Sequence, residues 1–338
     1  MDNKDTNKSI FYMSWILDKD ILEKSSSGGV FTALSQYVFN KNGIVFGVYQ
    51  DPKTLVLKQV PVMSIGELDA LRRSKYYQSE AFESYQKVKE YLLMDKWVLF
   101  SGTMCQIAAL LAFLGKTNRK KLITVDVLCH GVSSAKIFKL YADNEMKKSS
   151  KKIIKFSFRT KEIGWNCGSM THFYADGTKK VILNNEDCYF RAFNENLILR
   201  ESCYKCKFTN TNRISDFTLA DFWGVNRIEK LVSDEQLSKG VGLVLVNNKR
   251  SLVIWNELQN FVFSKQIEPC LAIPYNSSLS HPPIPHKKYK LFYKKLKKYE
   301  TKFDKLIKRL LWKEYLKQSI RKTVGEKNIK WIKKIISH

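Results

Sequence analysis

Residues 97–131, WVLFSGTMCQIAALLAFLGKTNRKKLITVDVLCHG, decide the fold class of this chain. The apolar run WVLF predicts a buried strand, QIAALLAFL predicts a helix, and LITVDVL predicts a second strand that ends at Cys129. The loop SGT joins the first strand to the helix. A strand, a helix and a strand in this order indicate a β-α-β unit with parallel strands. The sequence therefore predicts an α/β fold.

Further elements are predicted on both sides of this unit. Before it, VFTALSQYVF predicts a helix that begins after SSSGG, GIVFGVYQ predicts a strand, and residues 80–94 predict another helix. After it, the alternating segments KIIKFSFR, SMTHFYA and KKVIL, with the turn ADGT, predict an antiparallel meander. The strand GLVLV and the helix SLVIWNELQNF follow. We expect a mixed sheet with flanking helices, and an α+β arrangement in the second half.

The charge of the chain is concentrated at one end. The 338 residues carry a net charge of +26, and residues 287–338 hold 19 Lys or Arg against 4 Asp or Glu. The proline-rich stretch HPPIPH before them predicts a break. We therefore divide the chain into an α/β half (1–150), a second module with the C-x-x-C and LADFWG segments (151–285) and a basic helical tail (286–338).

The tail segments KLFYKKLKKY, FDKLIKRLLWKEYL and IKWIKKIIS predict amphipathic helices, with an apolar stripe that begins with Leu291, Phe292 and Leu296. Such helices pack on the body of a protein, lie on an anionic membrane surface, or contact nucleic acid or another acidic partner. These alternatives remain open at this point. We expect no specific nucleic-acid binding, because no nucleic-acid-binding motif accompanies the charge.

The composition excludes several classes of protein. Hydrophobic residues make up 44% of the chain, which is typical of a globular protein rather than a disordered one. No apolar run reaches the roughly 18 residues of a membrane-spanning helix, and the first thirty residues do not resemble a secretory signal. We expect a cytoplasmic protein, with contact at the inner membrane surface through residues 287–338 as an option.

Seven cysteines form an odd set that does not resemble a disulfide framework. Cys203 and Cys206 form a C-x-x-C pair, and Cys105 and Cys129 follow the two parallel strands, whose ends lie side by side. Spacing alone leaves open whether these four bind a metal, or whether Cys105 is a nucleophile, Cys129 a packing residue and the pair a zinc site or a dithiol. Cys167, Cys188 and Cys270 have no partner at ligand spacing and are expected to be core or surface thiols. His130, directly after Cys129, is expected to be structural.

Two short segments are typical of ligand contacts. Residues 25–29, SSSGG, combine hydroxyls, glycines and a helix start, which suits either a phosphate or an ordinary serine N-cap. Residues 101–103, SGT, stand where a buried strand gives way to a helix, the usual ligand position of open α/β sheets.

Five blocks in a fixed order resemble one family. SSSGGVFTAL, SKYYQS, LFSGTMCQIAALLAFLGK, VDVLCHGVSS and LRESCYKCKFTNTNRISDFTLADFWG are similar to those of the coenzyme F420 hydrogenase/dehydrogenase beta-subunit family, which includes bacterial members from polysaccharide gene clusters. The resemblance covers about residues 10 to 285. It implies an oxidoreductase with FAD and an iron–sulfur cluster, so that residues 1–150 become the flavin-binding half and residues 151–285 the iron–sulfur module.

The resemblance also implies site residues. It makes Cys105, Cys129, Cys203 and Cys206 the ligands of one [4Fe-4S] cluster, and such a cluster takes four thiolates. It assigns flavin contacts to Ser27, Gly28, Gly29, Lys75, Tyr76, Ser101, Gly102 and Thr103, and places Asp221 near this core without a defined role.

The chain departs from the family pattern at Met104 and Glu201, where members commonly have proline, and in lacking the cysteine-rich ferredoxin-like segment before the SSSGG turn. An electron relay to a second cluster therefore needs an electron-transfer protein or another redox carrier as partner. The implied function is electron exchange between FAD and a deazaflavin of the F420 type, or another carrier, in surface-polysaccharide biosynthesis. The alternative is a non-redox accessory protein of that pathway, with a structural metal and a membrane-docking tail.

Overall fold

The computed structural model describes residues 9–165, 168–228 and 232–324, with side chains up to residue 320. Eleven strands are found in these ranges, and they form one sheet of eight strands and one of three. In chain order the strands are β1 (Ile10–Ile16), β2 (Ile44–Gln50), β3 (Leu57–Val62), β4 (Val98–Thr103), β5 (Leu122–Val127), β6 (Ile153–Thr160), β7 (Ser169–Tyr174), β8 (Lys179–Leu183), β9 (Phe217–Asp221), β10 (Gly242–Val246) and β11 (Val262–Ile267).

The helices flank both faces of the large sheet. Val38 and Trp255 pack with Leu99 on one face, whereas Val88 and Leu110 pack with the strands on the other. In chain order the helices are α1 (Lys19–Lys24), α2 (Val30–Phe39), α3 (Phe82–Leu93), α4 (Met104–Leu114), α5 (Ala135–Ser149), α6 (Cys188–Asn194), α7 (Glu201–Tyr204), α8 (Asp234–Lys239), α9 (Lys249–Glu257), α10 (Tyr289–Leu296), α11 (Phe303–Leu310) and α12 (Trp312–Val324).

The large sheet is mixed, with the order β11-β1-β10-β9-β5-β4-β2-β3. Its four central strands β9, β5, β4 and β2 run parallel, and the outer strands pair antiparallel. The predicted β-α-β unit is confirmed as β4, α4 and β5, with Val98 opposite Leu122. The predicted loop SGT is wrong in one respect, because residues 101–103 are the last paired residues of β4.

Four strands of the large sheet were not predicted: β1, β3, β9 and β11. Local patterns give little signal for these strands. β3, for example, contains a proline and lies at the edge of the sheet, where a missing N–H is tolerated. β1 lies between β10 and β11, and Ile10 is opposite Val246. Pairing over such a sequence distance depends on tertiary packing, which local patterns do not encode. The division of the chain at residues 150 and 285 stays a prediction, although β9, β10 and β11 extend the sheet of the first half.

The predicted meander is confirmed as β6, β7 and β8. It packs with α5, α6 and the tail helices around a second, aromatic core that contains Phe158, Tyr189 and Phe193. This core also covers one side of the segment 74–79, where Tyr77 stacks on Phe138 with ring centroids 3.7 Å apart. The second core therefore holds a segment that the sequence analysis linked to ligand binding.

The first two tail segments are helical and pack on the body. Phe292 of α10 and Phe303, Leu306 and Ile307 of α11 are fully buried in the aromatic core. The second segment is two helices instead of one, because the chain bends at Leu311. Leu291, predicted on the apolar stripe, is 37% exposed. The third predicted helix, residues 329–337, lies outside the described residues.

Candidate functional site

One cavity of about 700 Å³ collects the nine predicted cofactor contacts. It opens at the carboxyl ends of the parallel strands, the position at which open α/β sheets bind ligands. Its volume lies in the range of cofactor sites, roughly 300–1,000 Å³. The predicted residues on its wall are Ser27, Gly28, Gly29, Lys75, Tyr76, Ser101, Gly102, Thr103, Asp221, Cys105 and Cys129.

The SSSGG turn forms one wall through its backbone. Gly29, with φ of +78°, precedes α2, and no side chain caps this helix start. The hydroxyl of Ser25 donates to the Ile21 carbonyl (2.7 Å), and that of Ser27 to the Val241 carbonyl (3.0 Å). The serine N-cap interpretation is therefore wrong for this turn. The positive end of the α2 dipole instead faces the cavity, as in sites that bind anions.

Gly28→Ala should lower the stability of the fold, because the turn lies against β1 and β10. A Cβ at Gly28 would lie 2.3 Å from the Ser14 carbonyl oxygen and 2.8 Å from the Gly242 nitrogen. Both are backbone atoms of paired strands, which cannot shift without disturbing the sheet. We therefore expect the unfolding free energy to fall by about 3 kcal/mol. Urea unfolding measures it. Gly66→Ala is the control, because it has open space and a φ of −66°; an equal loss in both variants would contradict this account.

The SKYYQS segment is joined to the SSSGG turn. The backbone N–H of Ser74 donates to the Ser26 hydroxyl (2.8 Å). The Lys75 ammonium donates to the carbonyls of Leu71 and Arg72 (2.8 and 2.9 Å), and it forms no ion pair within the described part of the chain. Burial, and then the charge of Lys155, lower the pKa of Lys75 to about 7. A cation without a carboxylate partner in a cavity wall suits an anionic ligand.

Tyr76 and Asp221 line the cavity beside the aromatic core. Burial raises the pKa of Tyr76 to about 12, so the phenol stays neutral. The Asp221 carboxylate accepts hydrogen bonds from Arg159 (3.2 Å) and from the indole of Trp165 (3.0 Å). Trp165 in turn stacks on Trp223, with ring centroids 5.3 Å apart. These contacts hold Asp221 in a fixed orientation.

The start of α4 links SGT to Cys105. Gln106 accepts from the Thr103 N–H (3.0 Å) and donates to the Ser79 hydroxyl (2.9 Å), so it connects SGT with SKYYQS. The Thr103 hydroxyl lies 3.1 Å from the Cys105 sulfur. Thr103 therefore contacts both the cavity and the first of the four thiols.

The sequence analysis missed several residues of the cavity wall: Arg72, Arg73, Gln106 and Arg200. The two arginines directly precede the SKYYQS segment, and this spacing was the available signal. Arg72 forms an ion pair with Asp69, and Arg73 donates to the Glu23 carbonyl (3.3 Å). Burial lowers the pKa of both guanidinium groups. The cavity wall next to the SSSGG turn is therefore cationic.

The structure brings the four candidate ligand thiols into one neighbourhood. Burial raises the pKa of the Cys129 thiol, and charge on Cys203, Cys105 and Cys206 raises it further, so all four interact electrostatically. Gly131 fits closely against Cys203, since a Cβ at this glycine would lie 3.3 Å from the Cys203 Cβ. Burial also raises the pKa of Cys203, which the positive charge of Arg200 opposes.

In the described ranges, no three or more Cys, His, Asp or Glu side chains converge closely enough to bind a single metal ion. A four-iron cage is different in kind, because each thiolate binds its own iron atom and the sulfurs stay farther apart than around one ion. The donor set suits such a cage in number and chemistry. None of these four cysteines forms a disulfide within the described part of the chain.

The remaining candidates are three cysteines and His130, and of these His130 lines the cavity. Cys188 is buried in the aromatic core and Cys270 is exposed, while Cys167 lies outside the described residues. His130 contacts the Asn196 amide oxygen (2.6 Å), and burial lowers its pKa. Its structural role stays a prediction, because the contact with Asn196 orients a ring that also lines the cavity.

Together, the sheet, the cavity and the neighbouring thiols define an α/β protein with a cysteine-flanked ligand site. Residues 95–266 match the family described as the C-terminal part of the beta subunit of coenzyme F420 hydrogenase/dehydrogenase, and the chain belongs to this family. This confirms the resemblance found in the sequence blocks.

Among solved structures, the chain is similar to one in the xenon-derivatised F420-reducing [NiFe] hydrogenase complex from Methanosarcina barkeri. The two share 18% identity over 97% of each chain, with a TM-score of 0.52, which shows a common fold. No curated protein matches the sequence. None of the described helices has the length and apolar character needed to span a bilayer.

Proposed function

We propose that this chain is an iron–sulfur flavoprotein oxidoreductase, which exchanges electrons between FAD and a redox carrier. The observation that carries the proposal is the convergence of SSSGG, SKYYQS and SGT, with Cys105 and Cys129, on a single cavity. These segments are far apart in the sequence. Membership in a family of hydrogenase and dehydrogenase subunits supports a redox role.

The cavity suits FAD in both volume and charge. The α2 N-terminus and Lys75 would bind the phosphates, and the glycines let the ligand approach the backbone. Ser101, Gly102 and Thr103 would line the path of the ring, and Tyr76 would shield it from water. FAD supplies the conversion between a two-electron carrier and single electrons. The protein's part is to orient the ring and exclude water, so a catalytic acid or base is not needed.

The cysteines would hold one [4Fe-4S] cluster beside the flavin. Cys129 and Cys203 would approach from the strand end and the short helix α7, Cys206 from the residues after it, and Cys105 from the first turn of α4. Arg200 would favour the thiolate form of Cys203 through its charge. The cluster takes electrons one at a time, so it would connect the flavin to a partner outside this chain.

The carrier is proposed to be a deazaflavin of the F420 type or another soluble redox cofactor, and the partner an electron-transfer protein. We propose a cytoplasmic location and a role in surface-polysaccharide biosynthesis, both on the family resemblance. Asp221 is proposed to face the flavin or its substrate, because it lines the cavity in a fixed orientation.

Cofactor analysis of the full chain after anaerobic purification tests this proposal. We expect one FAD and about four irons with four sulfides per chain, as four thiolates imply. One zinc per chain without flavin would overturn the proposal and support the non-redox accessory protein instead.

A further inference from the structure

The helices α11 and α12 separate their charges between two faces. Between residues 302 and 320 the only acidic residues are Asp304 and Glu314, and both turn toward the body. Asp304 pairs with Lys148 (3.2 Å), and Glu314 faces His286 (3.8 Å). The opposite face therefore carries no carboxylate from this stretch of the two helices.

This opposite face, which we call the outer face, is cationic and partly apolar. Its exposed cations follow the helical period, with one adjacent pair: Lys305, Lys308, Arg309, Lys313 and Lys317. Trp312 and Leu316 stand between them, one turn apart, and are 52% and 51% exposed. The neighbouring side chains Leu311 and Tyr315 point into the aromatic core, so this orientation of α12 is fixed by packing.

We infer that the outer face binds the surface of an anionic lipid bilayer. Each Lys or Arg near such a surface gains attraction from the lipid headgroups, and Trp prefers the interface between water and hydrocarbon. Nucleic acid would attract the cations, but it would offer no favourable contact to an exposed leucine beside them. The combination of cations with Trp312 and Leu316 therefore favours lipid. The inference is independent of the redox proposal, since it uses no residue of the cavity.

Sedimentation of the full chain with vesicles tests the cations. We expect binding to vesicles that contain phosphatidylglycerol and little binding to phosphatidylcholine alone. The variant Lys313→Gln with Lys317→Gln should reduce the partition onto phosphatidylglycerol vesicles roughly 30-fold, which corresponds to about 1 kcal/mol per cation. The matched control is Lys87→Gln with Lys96→Gln, which removes the same charge from exposed positions on and after α3. An equal loss in the control would overturn the inference.

A second variant tests the apolar side chains. Trp312→Ser with Leu316→Ser keeps every charge, and both positions are half exposed, so the fold should be unaffected. We expect at least a tenfold weaker partition onto the same vesicles, because burying such side chains in lipid contributes about 1.5–3 kcal/mol each when complete. Unchanged partition would overturn the inference. Double-stranded DNA can also be added to compete with the vesicles. If it displaced the parent and the variant from the vesicles equally, the face would be assigned to nucleic acid and the inference would be overturned.

Discussion

Cys206→Ser is expected to remove the iron from this chain. A serine hydroxyl stays protonated near neutral pH, so the cage would keep only three thiolate ligands. We expect the iron content to fall from about four atoms per chain to a small fraction of this value, with loss of the visible iron–sulfur absorbance. Iron and sulfide assays on anaerobically purified protein measure this. The flavin content should fall much less, because Cys206 does not line the cavity.

Cys270→Ser is the matched control for this substitution. It makes the same atomic change at an exposed cysteine outside the cavity, and iron should remain at the level of the parent. Full iron in Cys206→Ser would show that the pair at residues 203 and 206 is not part of a four-thiolate site. Iron loss in both variants would point instead to a general effect of thiol removal.

Lys75→Gln is expected to weaken FAD binding about 10- to 100-fold, the equivalent of one charge-assisted hydrogen bond of about 1.5–3 kcal/mol. The ammonium lies in the cavity wall with carbonyl partners and no ion pair among the described residues, so an anionic ligand would be its first charged partner. Titration of the flavin-free chain with FAD, followed by flavin fluorescence, gives the dissociation constant. Lys87→Gln, at an exposed position on α3, should bind FAD like the parent.

The same lysine predicts a pH dependence. Burial lowers the pKa of Lys75 to about 7 in the free protein, and an anionic ligand favours the protonated form. FAD affinity should therefore be constant below pH 7 and fall as the pH rises above it, since a neutral lysine must take up a proton on binding. Lys75→Gln should show no such fall. A parent profile that stays flat between pH 6 and roughly pH 9 would contradict the assignment of Lys75 to the phosphates.

The sequence was sufficient for the parts of the fold that depend on local patterns. The β4-α4-β5 unit, α2, and the meander β6-β7-β8 each have a regular apolar period and clear turn residues, so local pattern and tertiary structure agree. The strands β1 and β11 lack this support. β1 pairs with β10 and β11, which follow it by more than 200 residues, and β11 is an edge strand that pairs with β1. The bend at Leu311 also has no local signal such as glycine or proline.

The site was predictable as a set of segments but not as an arrangement. Lys75 and Ser101 stood out through family blocks, and the cavity that joins them depends on the contacts of Ser26 with Ser74 and of Gln106 with Ser79. Arg159 and Trp165, which orient Asp221, come from β6 and from the loop between β6 and β7, where the sequence shows only alternating strands. Such contacts join separate segments within a module, so spacing along the chain carries no information about them.

Iron anomalous scattering from crystals of the anaerobically purified full chain tests the central claim most directly. The account predicts one compact iron peak among the sulfurs of Cys105, Cys129, Cys203 and Cys206, next to a flavin in the cavity lined by SSSGG and SKYYQS. An iron peak at other residues, or a lone zinc at the 203/206 pair with an empty cavity beside it, would contradict the account.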